Sequence, residues 1–499
     1  MSWYLAAPLA LPFLTAVAAF LFRQSSAGRW ISVFGNLALL ILSGLLMAQV
    51  LQQGVLAGQM GGWQAPFGIT LVADYLGAVM VVITAITALA VSIYALADID
   101  ERKEYLGYHA LFNVLIGGVT GAFLTGDLFN LYVWFEVMLI SSFGLLVLGG
   151  SKEQIDGGIK YVTLNLVSTI LFLSGIGLVY GMTGTLNMAD LALTVPTLEN
   201  QGLVTVVAVM FMIAFGVKAA LFPLFFWLPA SYHTPAFSVS AVFAGLLTKV
   251  GVYALIRMFT LVFDGDVAFT HTILLWVAAF TMVTGVLGAA AQNDMRKILS
   301  FHIISQIGYM ILGLALLTPF ALAGAVFYLV HHIIVKANLF LIAGVAEKIT
   351  GSTDLSKIGG LYKSAPLLAV LFLIPAFSLA GFPPLSGFWA KYILVAAALE
   401  VQAWLIASVA LLVGLLTIYS MTKIWAEAFW KAHPEGMDPV LSQLDGRTRA
   451  ALLLPIAGLA AMTLVIGFFP EAFVVFATTA AGQLLDPTPY IGAVLGGGA

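Results

Sequence analysis

The stretch FGVKAALFPLFFWLP, residues 215–229, places a lysine and then two prolines inside a long apolar run. A second stretch, PAFSLAGFPPLSGFWAK, residues 375–391, combines the same residue types within the apolar segment 365–400. As one helix, that segment would be about 54 Å long at 1.5 Å per residue, against a hydrocarbon core of about 30 Å. A helix broken at membrane depth needs protein or a hydrated cavity to receive its freed carbonyl groups. The two stretches therefore predict a polytopic membrane protein with two polar interior sites.

The overall composition excludes a soluble protein. Of 499 residues, 62% are hydrophobic and 9% are charged, whereas soluble domains carry about 25% charged residues. Soluble enzymes and nucleic-acid binders are therefore excluded. Cysteine is absent, which excludes disulfides, Cys-ligated iron–sulfur clusters and Cys zinc sites. There is no Gly-rich phosphate loop ending in Gly-Lys-Ser/Thr, so we expect no cofactor, no metal ion and no direct use of ATP.

Charged residues, Gly/Pro clusters and polar runs divide the chain into fourteen apolar segments. Most approach or exceed the roughly 20 residues that a transmembrane helix needs. We therefore predict an all-α polytopic membrane protein with about 14 transmembrane helices in a single membrane domain, residues 1–499. The predicted spans, numbered one to fourteen, are 3–22, 30–51, 69–97, 107–124, 128–148, 158–183, 203–228, 238–262, 269–290, 297–316, 320–346, 365–397, 402–429 and 450–476.

The distribution of lysine and arginine supports this count. Fourteen of the 20 basic residues lie in or beside loops that follow odd-numbered spans, and loops after even-numbered spans hold none. By the positive-inside rule, the first set of loops is cytoplasmic and both termini are outside. No basic residue precedes the first span, so we expect an uncleaved helix there and not a signal peptide. The other six basic residues fall inside spans: Lys218, Lys249, Arg257, Lys336, Lys391 and Lys423.

The positions of the two interrupted spans predict an inverted repeat. They are spans seven and twelve, five apart, so a five-helix unit at 107–262 and another at 269–429 cross the membrane in opposite senses. In each unit the fourth helix is broken and carries a lysine, and the fifth helix carries another, as expected of a transporter built from related halves. The alternative is a coincidence, because proline and glycine are common in membrane spans.

Charged groups inside the membrane are costly and mark functional sites by default. Glu136 is the carboxylate near the centre of span five, and Lys218 in span seven is its leading partner. A Glu136–Lys218 ion pair that opens and closes would act as a proton switch. A static structural ion pair is the alternative.

Span eleven carries a row of titratable groups. Tyr328, His332 and Lys336 are spaced i, i+4 and i+8 and so share one helical face, with His331 adjacent. Histidine titrates near physiological pH, and a buried lysine can also exchange its proton, so the row suits proton hopping. The alternative is a set of hydrogen-bonded core residues. A metal site is disfavoured, because one helix face supplies too few ligands.

Other intramembrane residues extend or surround this row. Lys249 in span eight and Lys391 in span twelve carry the series of interior lysines into both units. Arg257 is either an interior counter-ion or a residue facing a cavity, and Lys423 can snorkel towards the cytoplasmic face. Two carboxylates near the outer ends of spans, Asp74 and Asp127, are predicted to cap helices, with proton exit as the alternative.

Taken together, these motifs resemble the antiporter-like membrane subunits shared by respiratory complex I, membrane-bound hydrogenases and Mrp-type multi-subunit cation/proton antiporters. The resemblance covers nearly the whole chain and rests on residues 135–139, 218–229, 247–253, 332–340 and 380–391. Residues 183–191 and 228–233 look most like the D subunits of the Mrp branch. Complex I relatives usually show Asp-Ala-His where this chain has Ser231, Tyr232 and His233, and one of their subunits has glutamate where this chain has Lys391.

The resemblance implies a proton-translocating subunit of a multi-subunit Na+/H+ antiporter in a prokaryotic cell membrane, and not an enzyme. Its partners would be other membrane subunits, H+ and a monovalent cation such as Na+, with no nucleic acid and no cofactor. The implied proton-transfer residues are Glu136, Lys218, Lys249, His332, Lys336 and Lys391. The second reading is a proton-pumping subunit of a redox-driven complex, and the third is a passive membrane scaffold.

Overall fold

A computed structural model of the chain describes residues 3–434, 436, 441 and 444–496. Its helices, numbered in chain order, are α1 (Trp3–Leu21), α2 (Ala27–Gln53), α3 (Tyr75–Asp98), α4 (Glu101–Tyr105), α5 (Tyr108–Leu124), α6 (Leu128–Val147), α7 (Lys152–Thr183), α8 (Met188–Thr194), α9 (Gln201–Ala219), α10 (Trp227–Ser231), α11 (Phe237–Val242), α12 (Thr248–Leu261), α13 (Val267–Ala291), α14 (Met295–Leu316), α15 (Pro319–Thr350), α16 (Leu361–Ser364), α17 (Pro366–Ala380), α18 (Ser386–Glu400), α19 (Trp404–Ile424), α20 (Gly446–Phe468), α21 (Pro470–Leu485) and α22 (Thr488–Leu495).

The helices confirm an all-α polytopic membrane protein. Within the described ranges, twelve helices are long and apolar enough to cross a membrane, and α5 and α17 are shorter apolar helices. Three of the spans, 237–261, α14 and α15, are 94% buried over their most apolar stretch, against 39% for α13 and α19. The three buried spans therefore form the centre of the molecule, and their polar side chains face protein and not lipid.

Two predicted spans have different limits in the structure. Residues 70–73 of predicted span three form strand β2 (Thr70–Ala73), which pairs antiparallel with β1 (Leu56–Gln59) before α3 begins. Predicted span fourteen, 450–476, extends too far: α20 ends at Phe468, and Pro470 starts the separate helix α21. The reason is local, since Phe469 has φ −124° and ψ 57°, outside the helical region.

The breaks predicted in spans seven and twelve are both present. Helix α9 ends at Ala219, and Ala220 follows in the left-handed region with φ 60°. Helix α17 ends at Ala380, and Gly381 follows with φ 90°. The second halves begin at Trp227 and Ser386. Whether the two five-helix units are related by inversion stays a prediction.

Span eight departs from a regular helix just before its lysine. A π-helical turn, Phe243–Leu247, joins α11 to α12, and Lys249 follows soon after it. π-Helical turns are rare in proteins, and those that do occur often lie at functional sites.

For the predicted cytoplasmic loop 430–449, the sequence fits a partner-binding segment and a solvated loop equally well. Its residues 435, 437–440, 442 and 443, which include Pro439, lie outside the described residues.

Candidate functional site

Glu136 and Lys218 approach each other through a third side chain. The Thr169 hydroxyl on α7 donates a hydrogen bond of 2.7 Å to Oε1 of Glu136. Nζ of Lys218 donates to the same hydroxyl at 3.4 Å and to the carbonyl oxygen of Asn165 at 3.4 Å. Among the described residues, no carboxylate oxygen lies within 4.0 Å of Nζ of Lys218. Glu136 and Lys218 are therefore connected through Thr169 and not in direct contact in this structure, and their role as an ion pair that opens and closes stays a prediction.

Lys249 is held by the π-helical turn that precedes it. Its side chain is fully buried, and Nζ donates to the carbonyl oxygen of Ala244 within that turn. Carbonyl groups in a π-helical turn bond to amides five residues on, which changes the direction in which they point. The turn thus supplies a neutral acceptor for this buried lysine.

The predicted row on α15 lies in the buried centre. The Tyr328 hydroxyl donates to Oε1 of Gln306 on α14 at 2.5 Å, and Nζ of Lys336 donates to the carbonyl oxygen of Leu299 at 3.0 Å. His332 is fully buried, and in the described part of the chain neither ring nitrogen has a hydrogen-bond partner. Buried polar groups normally have a partner, supplied by protein or ordered water. Both ring nitrogens of His332 are therefore available for hydrogen bonds.

The sequence patterns did not single out a further buried histidine. His302 on α14 is fully buried, and its Nε2 lies 2.6 Å from Oγ of Ser420 on α19. On α14, His302 lies between Leu299, whose carbonyl oxygen accepts from Lys336, and Tyr309, whose ring centre lies 5.1 Å from Nζ of Lys391. The signal was available: His302 and Gln306 are spaced i, i+4 within predicted span ten and share one helical face.

Lys391 lies against the second break. Its Nζ donates to the carbonyl oxygen of Ala380, the last residue of α17, at 3.1 Å and lies 5.1 Å from the centre of the Tyr309 ring. If α17 continued, the Ala380 carbonyl would accept a hydrogen bond from an amide of the next helical turn. Because the helix ends there, this carbonyl is available to Lys391. Beside it, Nδ1 of His331 lies 2.8 Å from Oγ of Ser386, the first residue of α18. Polar side chains therefore surround the interruption between α17 and α18.

The remaining intramembrane charges have different surroundings. Arg257 forms an ion pair of 2.7 Å with Asp74, and both side chains are buried. Asp127 accepts from the backbone amide of Asn130 and caps α6, as predicted. Nζ of Lys423 donates to the carbonyl oxygens of Gln292 at 2.7 Å and Ala290 at 3.3 Å near the end of α13.

The chain matches known proteins along most of its length. A family model described as NADH:quinone oxidoreductase/Mrp antiporter, transmembrane, matches residues 125–422. That range includes every predicted proton-transfer position. The D subunit of the Na+/H+ antiporter of Alkalihalophilus pseudofirmus is 48% identical over 491 residues, which is 98% of each chain.

Two solved structures share the fold. A chain of the Mrp complex from Dietzia sp. DQ12-45-1b is 35% identical, with a TM-score of 0.91 over 99% of this chain and 100% of that one. A chain of respiratory complex I from Thermus thermophilus is 26% identical, with a TM-score of 0.80 over 96% and 99% of the two chains. The chain therefore belongs to the NADH:quinone oxidoreductase/Mrp antiporter family of membrane subunits and, within it, groups with the Na+/H+ antiporter D subunits.

Proposed function

We propose that this chain is the proton-translocating subunit of a multi-subunit antiporter that exchanges external protons for internal Na+ or a similar monovalent cation. Its partners are other membrane subunits of the same complex. It lies in the cell membrane of a prokaryote, with the loops after odd-numbered spans in the cytoplasm and both termini outside. The likeness to the Mrp complex and to a Na+/H+ antiporter D subunit supports this reading.

The proposal rests on the hydrogen-bond acceptors of the buried lysines. Each of the four buried lysines on the predicted proton path donates to at least one backbone carbonyl, and none has a carboxylate oxygen within 4.0 Å among the described residues. A carbonyl is a neutral acceptor, which stabilises a buried ammonium far less than an ionised partner does. The charged and neutral forms of these lysines are thus closer in free energy than they would be beside a carboxylate. The four lysines are Lys218, Lys249, Lys336 and Lys391, and together with His332 they are called the axis.

Glu136 and Lys218 form the switch in this mechanism, with Thr169 as the connection. A hydroxyl can accept one hydrogen bond and donate another at the same time. Thr169 accepts from Lys218 and donates to Glu136, which completes a hydrogen-bonded route between the base and the acid. A proton that leaves Lys218 can therefore reach Glu136 without either side chain crossing the gap.

From Lys218, protons move along the membrane midplane through Lys249, His332 and Lys336, and the path ends at Lys391. His302 extends the proposed path between Lys336 and Lys391. Water completes the connection at His332, because a buried imidazole without a protein partner would otherwise leave a costly unpaired group, at about 1–3 kcal/mol. The side chain of Asn338, also unpaired in the described structure, offers a further site for such water.

The redox-driven alternative uses the same side chains and differs in its energy source. The likeness to complex I fits that reading as a related branch of the family. Purification of the intact complex separates the two readings. Bound flavin or iron–sulfur partners detected by absorption would support the redox-driven complex.

The direct test is cation-dependent proton movement in membrane vesicles from cells that lack other antiporters. We expect addition of Na+ to collapse a preformed pH gradient when the complete complex is present. Vesicles that contain the other subunits but not this chain are the control. Assembled complex that gives no cation-dependent proton movement with Na+, Li+ or K+ would refute the proposal.

A further inference from the structure

Helix α12 carries a second line of polar side chains that leads away from the axis. Lys249, Tyr253 and Arg257 are spaced i, i+4 and i+8 and share one helical face, with exposed fractions of 0%, 3% and 4%. Eight residues of helix separate Lys249 from Arg257, which is about 12 Å. The line runs from the membrane centre towards the predicted outer surface.

Arg257 is fixed in place at the end of this line. Its Nη2 lies 2.7 Å from Oδ2 of Asp74, while Oδ1 of Asp74 accepts from the backbone amide of Gly77 at 2.8 Å and caps α3. The guanidinium carbon of Arg257 lies 5.5 Å from the centre of the Tyr253 ring and 5.1 Å from that of Tyr490 on α22. Such ring contacts add to the attraction of the ion pair.

A network of backbone contacts covers the pair from the predicted outer side. The amide of Gly126 donates to the carbonyl oxygen of Thr70 in β2, and the amide of Met188, which begins α8, donates to the carbonyl oxygen of Gly126, both at 2.8 Å. Asn187 adds a side-chain bond of 3.0 Å to Thr70. A Cβ atom at Gly126 would lie 3.2 Å from the Tyr490 hydroxyl, so these segments are packed tightly.

We propose that Arg257, held by Asp74 beneath this cover, is a fixed cationic barrier that prevents protons on Lys249 from reaching the outer surface through the first five-helix unit. This inference rests on the proposed function and its predicted orientation. Arginine stays protonated at any accessible pH, so it cannot relay a proton, and an arginine in a pore repels approaching protons and cations. Protons on Lys249 are thereby directed along the axis towards His332.

The test measures passive proton permeability of vesicles that contain the assembled complex, without Na+. Arg257→Gln should raise the permeability at least about tenfold, since one charge acting over about 12 Å at an effective dielectric of about 20 changes a rate by that factor. Asp74→Asn should stay as tight as wild type, because the arginine remains. The matched control is Arg29→Gln, which breaks a partly buried contact of 2.8 Å to Glu104 away from the axis and should also stay tight.

A purely structural pair would give the opposite pattern. Breaking either partner would then damage the protein similarly, and the uncharged double variant Asp74→Asn/Arg257→Gln would restore it. We expect that double variant to assemble and to leak less than Arg257→Gln, since it removes one charge of each sign. If Arg257→Gln does not assemble, leakage of the double variant above that of the wild type is the test. A tight double variant, or equal leakage in Asp74→Asn and Arg257→Gln, would overturn the barrier. Na+-dependent exchange of the wild type in the same vesicles reports on the proposed function independently.

Discussion

The axis and the Arg257–Asp74 ion pair both bury cationic side chains, but they hold the charge differently. On the axis, Lys336 and Lys391 donate to backbone carbonyl oxygens at 3.0 and 3.1 Å. Near the carboxyl end of α12, Arg257 lies 2.7 Å from the carboxylate of Asp74. On the axis, lysines, which can lose a proton, donate to neutral carbonyl groups. At the ion pair, an arginine, which stays protonated, contacts an ionised carboxylate.

In the proposed mechanism, this difference separates the residues that carry protons from the residue that directs them. An ion pair stabilises the charged form of both partners, and removing one partner leaves a buried charge at a cost of about 3–5 kcal/mol. A carbonyl-held lysine has no such fixed counter-charge, so its protonation can follow the state of its neighbours. In the proposed mechanism, burial alone therefore does not mark a proton carrier, and the hydrogen-bond partner must be considered with it.

The largest expected effect comes from removing either end of the switch. Glu136→Ala and Lys218→Ala should each reduce Na+-dependent proton movement by about 10²-fold or more, the usual contribution of a positioned acid or base. The measurement is the rate of Na+-induced collapse of a pH gradient in vesicles. Glu153→Ala is the matched control, since Glu153 is an exposed carboxylate at the start of α7. Normal rates in an assembled Glu136 or Lys218 variant would remove the switch from the mechanism.

The comparison is tested most directly by making an axis lysine resemble Arg257. Lys391→Arg keeps the positive charge but cannot release a proton, so exchange should be lost even though the complex assembles. Lys423→Arg is the control, because Lys423 also donates to carbonyl oxygens but is partly exposed at the predicted cytoplasmic end. Retained exchange in Lys391→Arg would show that Lys391 supplies only a fixed field, and proton exit would then be sought at Lys423 and Glu427.

Much of the fold could be predicted from the sequence because membrane spans are set by length and hydrophobicity. The breaks after Lys218 and before Lys391 could be predicted from prolines inside apolar segments, the second of which is also too long for one membrane span. The end of α20 was not, since the apolar composition continues through Phe469 and Pro470 into α21. The strand Thr70–Ala73 was also missed, because its apolar residues merge with those of α3.

The residues of the candidate site could be proposed from the sequence, but their contacts could not. Spacing on one helix found Tyr328, His332 and Lys336, since residues four apart share a face. Contacts between helices depend on tertiary packing, which no local pattern records. The Thr169 bridge joins three helices, and the Asp74–Arg257 pair joins two residues that lie far apart along the chain.

A smaller effect is expected at His332, where water can replace the missing group. His332→Ala should slow exchange by about tenfold, equivalent to about 1.4 kcal/mol of barrier, and should shift the pH optimum of the residual activity. Rates across about pH 6–9, where perturbed histidine and lysine titrate, are the measurement. His271→Ala on α13 is the control, because His271 is also buried but contacts Thr270 away from the axis. Unchanged rates across this range in His332→Ala would make the row structural.

The smallest expected effect concerns the hydroxyl between Glu136 and Lys218. Thr169→Val keeps the shape of the side chain but removes the group that accepts from Lys218 and donates to Glu136. The loss of about 1 kcal/mol of hydrogen bonding should slow exchange by about fivefold, and not abolish it, because water can bridge the two charges. Thr169→Ser retains the hydroxyl and should exchange at close to the wild-type rate. If Thr169→Ser were as slow as Thr169→Val, the methyl group and its packing would matter, and the hydroxyl would not be the route between the two charges.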